Sequence, residues 1–410
     1  MDNKIYSDSF DSAIEVFLTN IESLWKTLPT VLKTIDNHYE TATNKHNKFL
    51  ETNGIYSPED NLYTIQPENS RKFKIFKKDV ENSRVASVII KRNFVVSLIS
   101  QFDTYIGSLI KCIFLVRPDL INNSEKQLTY SQLRTFNNID DAKEFIIEKE
   151  IETVLRESHT EQFRWFEKKL NINLLKDLPI WPTFIELTQR RNLFVHTNGI
   201  VSTQYINVCT ENKVSMPKSI SIGDVLDVDI DYFERAFVCL FEIGLKLNQV
   251  LRRNLLPDNI ENADKSFLNI SFELIQNNQY TLAKEIYDFA DKYIKKYSNN
   301  DLALRIKLNR AQTYKWLDEN EKCIDIVNSI DWSASGDLFK LASFVLRDDY
   351  LNAATTMRNI GDNSKVLEKS AYNDWPIFKE FKKTTEFKSA FKEIYSHEHI
   401  IEEETVLQSQ

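Results

Sequence analysis

Between residues 190 and 199 the chain reads Arg-Arg-Asn-Leu-Phe-Val-His-Thr-Asn-Gly, and several of these side chains can do chemistry. His196 can give or take a proton near neutral pH. Arg191 offers a fixed fork of donors that suits phosphate oxygens, and Arg190 stands beside it. The Asn192 amide can hold the guanidinium or the phosphate. No carboxylate cluster of metal-ligand spacing adjoins the run, and side chains of these types suit acid–base work beside a phosphate. A plainer assignment competes. Arg191 can pair with Glu186 at the surface, and His196 can be a cation favoured by the dipole of the last helical turn.

The elements around the run set what it can do. Pro179 and Pro182 precede a helix over Phe184–Thr197, and Asn198-Gly199 stops it. Leu193, Phe194 and Val195 are its packing residues in this reading. Arg191 and His196 lie five positions apart, roughly 140° around a helix, so they do not share one face. Two antiparallel copies of the helix across a two-fold axis would bring both pairs to one groove.

Arg191-Asn192, His196 and Thr197-Asn198-Gly199 together resemble the motif of the HEPN superfamily, in which an Arg and a polar residue precede a His near a helix end. The resemblance extends less specifically over about Val80–Leu256. It implies an all-α bundle and a homodimeric, metal-independent endoribonuclease like the HEPN toxins of bacterial anti-phage defence. RNA is then the substrate, attacked by its own ribose 2′-oxygen. Arg191 would stabilise the phosphorane, His196 would move protons and Asn192 would orient. Asp103, an acid between Phe102 and Tyr105 in an apolar helix, and Arg190 would be accessory groups of the groove; otherwise Asp103 is a buried acid paired to a base. Two alternatives belong to other classes: a catalytically silent HEPN-like scaffold for protein partners, and an immunity component that masks another enzyme.

The remaining sequence fits an all-α protein. Of 410 residues 42% are hydrophobic, and only 7 are Gly and 9 Pro, too few for a loop-rich β protein. The net charge of −8 argues against a general nucleic-acid coat but not against a local basic site. The best such site is Arg71-Lys72-Phe73-Lys74-Ile75-Phe76-Lys77-Lys78, which can grip phosphates and bases, or serve as a solvated helix face. Asp224, Asp227, Asp229 and Asp231 lack the glycine and closing glutamate of a calcium loop, so Asp229 or Asp231 is expected to cap a helix. His38, His46, His159, His397 and His399 form no ligand pattern. Cys112, Cys209, Cys239 and Cys323 form no CxxC pair, which fits free thiols in a reducing cytosol. Neither a signal peptide nor a membrane span is expected, and the location expected is cytoplasmic.

Four segments follow. Residues 1–75 form an N-terminal helical region, with helices before and after Pro29, the second ended by Gly54, and a loop over Ile55–Ser70. Residues 76–257 form the HEPN-like domain, with helix resuming near Asp79 and a last helix over Ile230–Leu251. Pro257 and the following Asp-Asn-Ile-Glu-Asn-Ala-Asp form a linker. Residues 262–400 form a helical array, and 401–410 a tail. Within the array, small residues at Ala283, Cys323 and Ala353 recur at intervals of 40 and 30. The stretch 308–327 resembles a tetratricopeptide repeat, with Ala311 and Tyr314 at its first-helix positions and Cys323 for its second-helix alanine, but without its glycine turn. The resemblance implies stacked helical hairpins able to take a protein partner. Trp375, Phe378, Phe381, Phe387 and Phe391 close the array.

Overall fold

The computed structural model describes residues 2–122, 127–176, 178–217, 219–363 and 365–395. The tail, His397 and His399 lie outside them. The chain is all-α apart from one two-stranded hairpin among the described residues. Its contacts divide it into two compact units, Met1–Pro257 and Asp258–Gln410. No boundary falls at residue 75.

The first unit is organised by two long antiparallel helices, α1 (Asp2–Asn53) and α2 (Ser70–Val116). Against them lie α3 (Ile139–Arg156), α4 (His159–Leu170), α5 (Trp181–Thr197) and α7 (Ile230–Leu255), and α6 (Thr203–Glu211) packs on α5. Phe10, Ile14, Phe17 and Ile21 of α1 repeat at helical spacing and are fully or nearly fully buried. Phe17 stacks on Tyr105 of α2 at 4.5 Å and meets Phe102 edge-on. Gly244 of α7 permits this layer, because a Cβ there would sit 2.5 Å from the Phe17 ring. The Tyr105 hydroxyl donates to the Gly244 carbonyl at 3.1 Å.

Two expected breaks are absent. The residues before and after Pro29 form one helix, although an internal proline costs about 3 kcal/mol. Tertiary packing offsets that cost: Leu28 and Leu32 are buried, and Trp25 stacks on Phe237 of α7 at 4.8 Å. The second helix starts at Ser70, nine residues before Asp79. What reads as a loop after Gly54 holds β1 (Gly54–Ser57) and β2 (Leu62–Ile65), antiparallel, with Tyr56 opposite Tyr63. A four-residue turn joins them, and Asn61 takes a left-handed φ of 54°. Within Pro67–Val116 one stretch is long and apolar enough to cross a membrane by length and composition. Only 28% of that stretch is buried: Leu98, Ile99 and Phe102 are fully buried, whereas Val85 and Ile89 are exposed.

The second unit begins directly. The expected linker is a 3-10 turn at Pro257–Asn259 running into α8 (Ile260–Gln276), because Ala263 and Asp264 are buried and so are part of the packing. Then come α9 (Tyr280–Tyr293), α10 (Asn300–Trp316), α11 (Asn320–Asn328), α12 (Asp337–Leu346) and α13 (Tyr350–Ile360). They make three helical hairpins with one turn geometry. Asn278, Asp318 and Asp348 adopt φ of 58°, 59° and 58°, left-handed values that Asn and Asp tolerate without glycine. The next residue's N–H bonds back each time, from Gln279 to Leu274, Glu319 to Tyr314 and Asp349 to Phe344, at 2.8, 3.0 and 3.0 Å. Ala283, Cys323 and Ala353 are buried five residues after each turn residue. Lys315 of α10 donates to the Val345 and Leu346 carbonyls at 3.1 and 3.0 Å, satisfying the end of α12. The unit closes with α14 (Thr385–Ile394), where Phe378, Phe381 and Phe387 are buried around Tyr372.

Candidate active site

Helix α5 carries the motif, with Pro182 in its first turn. It stops at Asn198 (φ 52°) and Gly199 (φ 84°), whose N–H bonds to the Leu193 carbonyl at 3.0 Å. Glycine is required at 199, since a Cβ would lie 2.8 Å from the Leu226 carbonyl oxygen. Arg92, buried on α2, fastens this end. Its Nη1 donates to the Asn198 carbonyl and Oδ1, both at 3.0 Å, and its Nη2 to the Leu226 carbonyl at 2.9 Å. A cation is favourable at a helix C-terminus. Leu193 is buried and Phe194 lies beneath the Arg92 guanidinium. Val195 is not a packing residue: it is 50% exposed.

The two neighbouring arginines go to different places. Arg190 turns towards α6 and α7. Its Nε donates to Glu186 at 2.7 Å, its Nη1 to the Asp227 carbonyl at 3.2 Å, and its guanidinium lies 4.0 Å from the Tyr232 ring centroid. Glu186 also accepts from the Tyr205 and Tyr232 hydroxyls at 2.7 and 2.9 Å. Burial, and then the Glu186 carboxylate, push both phenols well above their ordinary pKa, so they remain neutral donors. Glu186 therefore belongs to Arg190 and not to Arg191. Arg190 is a structural residue in this arrangement, not an accessory of a reaction groove.

Arg191 turns towards α2 and α4. Its Nη2 lies 3.4 Å from Asp103 Oδ2, and its Nη1 donates to Asn192 Oδ1 at 3.0 Å. The other Asp103 oxygen is 2.9 Å from His159 Nε2. Asp103 is about one-quarter exposed (26%) and His159 13% exposed, and the imidazole meets Phe184 edge-on at 5.4 Å. One carboxylate thus bridges a guanidinium and an imidazole, supplied by α2, α5 and α4. Arg191 Nε is buried without a hydrogen-bond partner among the described residues, so two of its five donors are engaged.

No family model matches this chain, and no curated protein or solved structure matches it either.

The structure brings Arg191, Asn192 and Asp103 together. His196 is five residues further along α5, about 7.5 Å along the axis; it is exposed and makes no hydrogen bond or ion pair among the described residues. His159 and Arg92 are the residues that reading the sequence missed as parts of these networks, and Glu186, expected beside Arg191, pairs with Arg190 instead. His159 stands 56 positions from Asp103, and no linear spacing signals that contact. The aspartate-rich stretch is structural. Asp229 caps α7 by accepting from the Tyr232 N–H at 2.6 Å, and Asp227 lies 3.4 Å from Arg92 Nε. No group of three or more metal-ligating side chains occurs among the described residues. Arg71, Lys72, Lys74, Lys77 and Lys78 are exposed on the first turns of α2. That places Arg71 about 48 Å along the helix from Asp103. The four cysteines are free and buried.

Proposed function

We propose that the chain is a metal-independent endoribonuclease of the HEPN type, working as a cytoplasmic homodimer. The observation that carries this reading is the contrast between the Arg191 guanidinium, oriented by a single carboxylate with donors to spare, and the exposed, unengaged His196 on the same helix. A base removes the proton from a ribose 2′-hydroxyl, and the 2′-oxygen attacks the adjacent phosphorus. Arg191 balances the charge of the phosphorane, and an acid protonates the departing 5′-oxygen. The products are a 2′,3′-cyclic phosphate and a 5′-hydroxyl. One His196 per copy supplies both base and acid when two α5 helices face each other. Asp103 and Asn192 hold Arg191 at the angle it needs, and His159 holds Asp103.

A ribonuclease assay in EDTA tests this. Wild type is expected to cut, and His196→Ala to lose about 100-fold or more in rate. Cleavage that requires added metal, or that survives the substitution, contradicts the reading. Growth arrest on expression of wild type but not of His196→Ala is the corresponding cellular result.

A second reading has its own support. The second unit carries a cavity of about 230 Å³ lined by Leu268, Phe272, Arg305, Gln312, Phe339 and Trp375, among others. Such a mixed apolar and polar lining suits a protein partner on the stacked hairpins, with or without cleavage by the first unit.

A further inference from the structure

The far ends of α1 and α2 form an arm with a thin seam. His38 meets Ser83, His46 meets Phe73 and Phe49 meets Phe76, while most other side chains there are exposed. The tip has a composition unlike the rest of the chain. Residues 54–78 hold five cations against the three acids Glu59, Asp60 and Glu68, in a chain with a net charge of −8. None of the five cations forms an ion pair among the described residues. Arg71, Lys74 and Lys78, with Ile75 and Pro67, line an open depression of about 500 Å³. They repeat at i, i+3 and i+7, so they form a stripe along the arm with steps of about 4.5 and 6 Å.

The hairpin beside the stripe exposes what a soluble surface ordinarily covers. Leu62 is 63% and Ile55 59% exposed, and the Tyr56 and Tyr63 rings, 5.1 Å apart, are exposed as well. Tyr63 is held close over the α1–β1 joint, because a Cβ on Gly54 would lie 2.8 Å from its ring. Cations in a row beside exposed aromatic rings are the two components of a single-strand nucleic-acid platform: charge for the phosphates and π faces for the bases.

We propose that the arm tip is a docking site for single-stranded RNA, remote from the Arg191 site. The choice of RNA over another polyanion rests on the ribonuclease reading above. A linear stripe running along the arm follows a strand of phosphates, whereas a lipid surface would call for cations ringing an apolar tip. Arg71 and Asp103 are about 48 Å apart along α2. A strand stacked as in a duplex, at about 3.4 Å per nucleotide, would take roughly 14 nucleotides to bridge both, and a more extended one fewer. A long single strand engages both sites at once, whereas a short one occupies only one of them at a time.

The test is fluorescence anisotropy on the full chain carrying His196→Ala, with labelled unstructured RNAs of about 30 and about 6 nucleotides, across a salt series. Adding Arg71→Gln, Lys74→Gln and Lys78→Gln should weaken binding of the long RNA at least tenfold at low salt. It should also flatten the slope of log K against log salt by about 2, since each single-strand phosphate contact contributes about 0.7. The short RNA, which can fill the stripe but cannot bridge to the Arg191 site, should bind the His196→Ala protein more weakly than the long RNA. Tyr56→Ala with Tyr63→Ala should weaken long-RNA binding with no change in slope. All five side chains are exposed, and a thermal melt checks that each variant is folded. Unchanged affinity and slope in the triple variant overturn the proposal. Binding to phosphatidylserine vesicles that depends on the same three cations, with none to RNA, overturns it too. If wild type does not cleave RNA but the arm still binds it as described, the ribonuclease reading fails alone. If wild type cleaves and the triple variant binds and cleaves long RNA equally well, the arm proposal fails alone.

Discussion

Arg190 and Arg191 are adjacent in the chain and opposite in circumstance. Arg190 is clamped by Glu186, the Asp227 carbonyl and the Tyr232 ring, in a cluster whose carboxylate also takes two buried phenols. Arg191 has one long contact with a partly exposed carboxylate, one bond to its neighbour's amide and an unpartnered Nε. A polar network closed on all sides specifies packing. One left partly open keeps donors for something else. The comparison therefore separates a residue that holds α5 in place from a residue that α5 presents.

Breaking the closed side has the largest expected effect. Glu186→Ala leaves Arg190 and two phenols without their common acceptor, and should cost about 3–5 kcal/mol in urea unfolding. Next is Gly199→Ala, which forces a Cβ into left-handed backbone against the Leu226 carbonyl. A loss of about 1–3 kcal/mol is expected by the same measurement. The open side should behave differently. Asp103→Asn should cost about 1 kcal/mol or less in stability, as expected of a partly exposed pair. It should still slow RNA cleavage about tenfold, equivalent to about 1.4 kcal/mol in the transition state. If Asp103→Asn unfolds the protein and Glu186→Ala does not, the two clusters have been assigned the wrong way round.

The smallest effect is confined to alkaline pH. Cys209 lies in the closed cluster, where burial, and then Glu186, raise its thiol to about 11. The stability linked to this thiol is complete below its ordinary titration range and is lost as the pH rises through about 11. Alkylation of Cys209 at pH 8, followed by mass spectrometry, should be negligible in wild type and detectable in Glu186→Ala.

What could be read in the sequence follows from how local the signal is. The motif helix, its Asn198-Gly199 stop, the Asp229 cap and the buried small residues Ala283, Cys323 and Ala353 rest on periodicity and capping within a few residues. Pro29 misleads for the opposite reason: it is a local breaker overridden by burial of its neighbours Leu28 and Leu32. Pro257 does break the helix, and the two units divide there, but the polar run after it is helical from Ile260, with Ala263 and Asp264 buried. The hairpin after Gly54 had a turn signal in Pro58–Asn61, but its mostly exposed strands lack the alternation of a half-buried pair. At the site, Arg191 and Asn192 stand out by type and order. The meeting of Asp103 with His159, and the division of labour between the two arginines, depend on which way three helices face, and no spacing encodes that.

The central claim is that Arg191 acts and Arg190 holds. It is tested most directly by the RNA cleavage rate per folded molecule, in EDTA, for Arg190→Gln and Arg191→Gln. The account predicts that Arg191→Gln keeps the wild-type melting temperature and loses about 100-fold or more in rate, while Arg190→Gln melts lower and its folded fraction still cuts. Equal loss of rate in the two variants, or a wild type that does not cut RNA in EDTA, would contradict it.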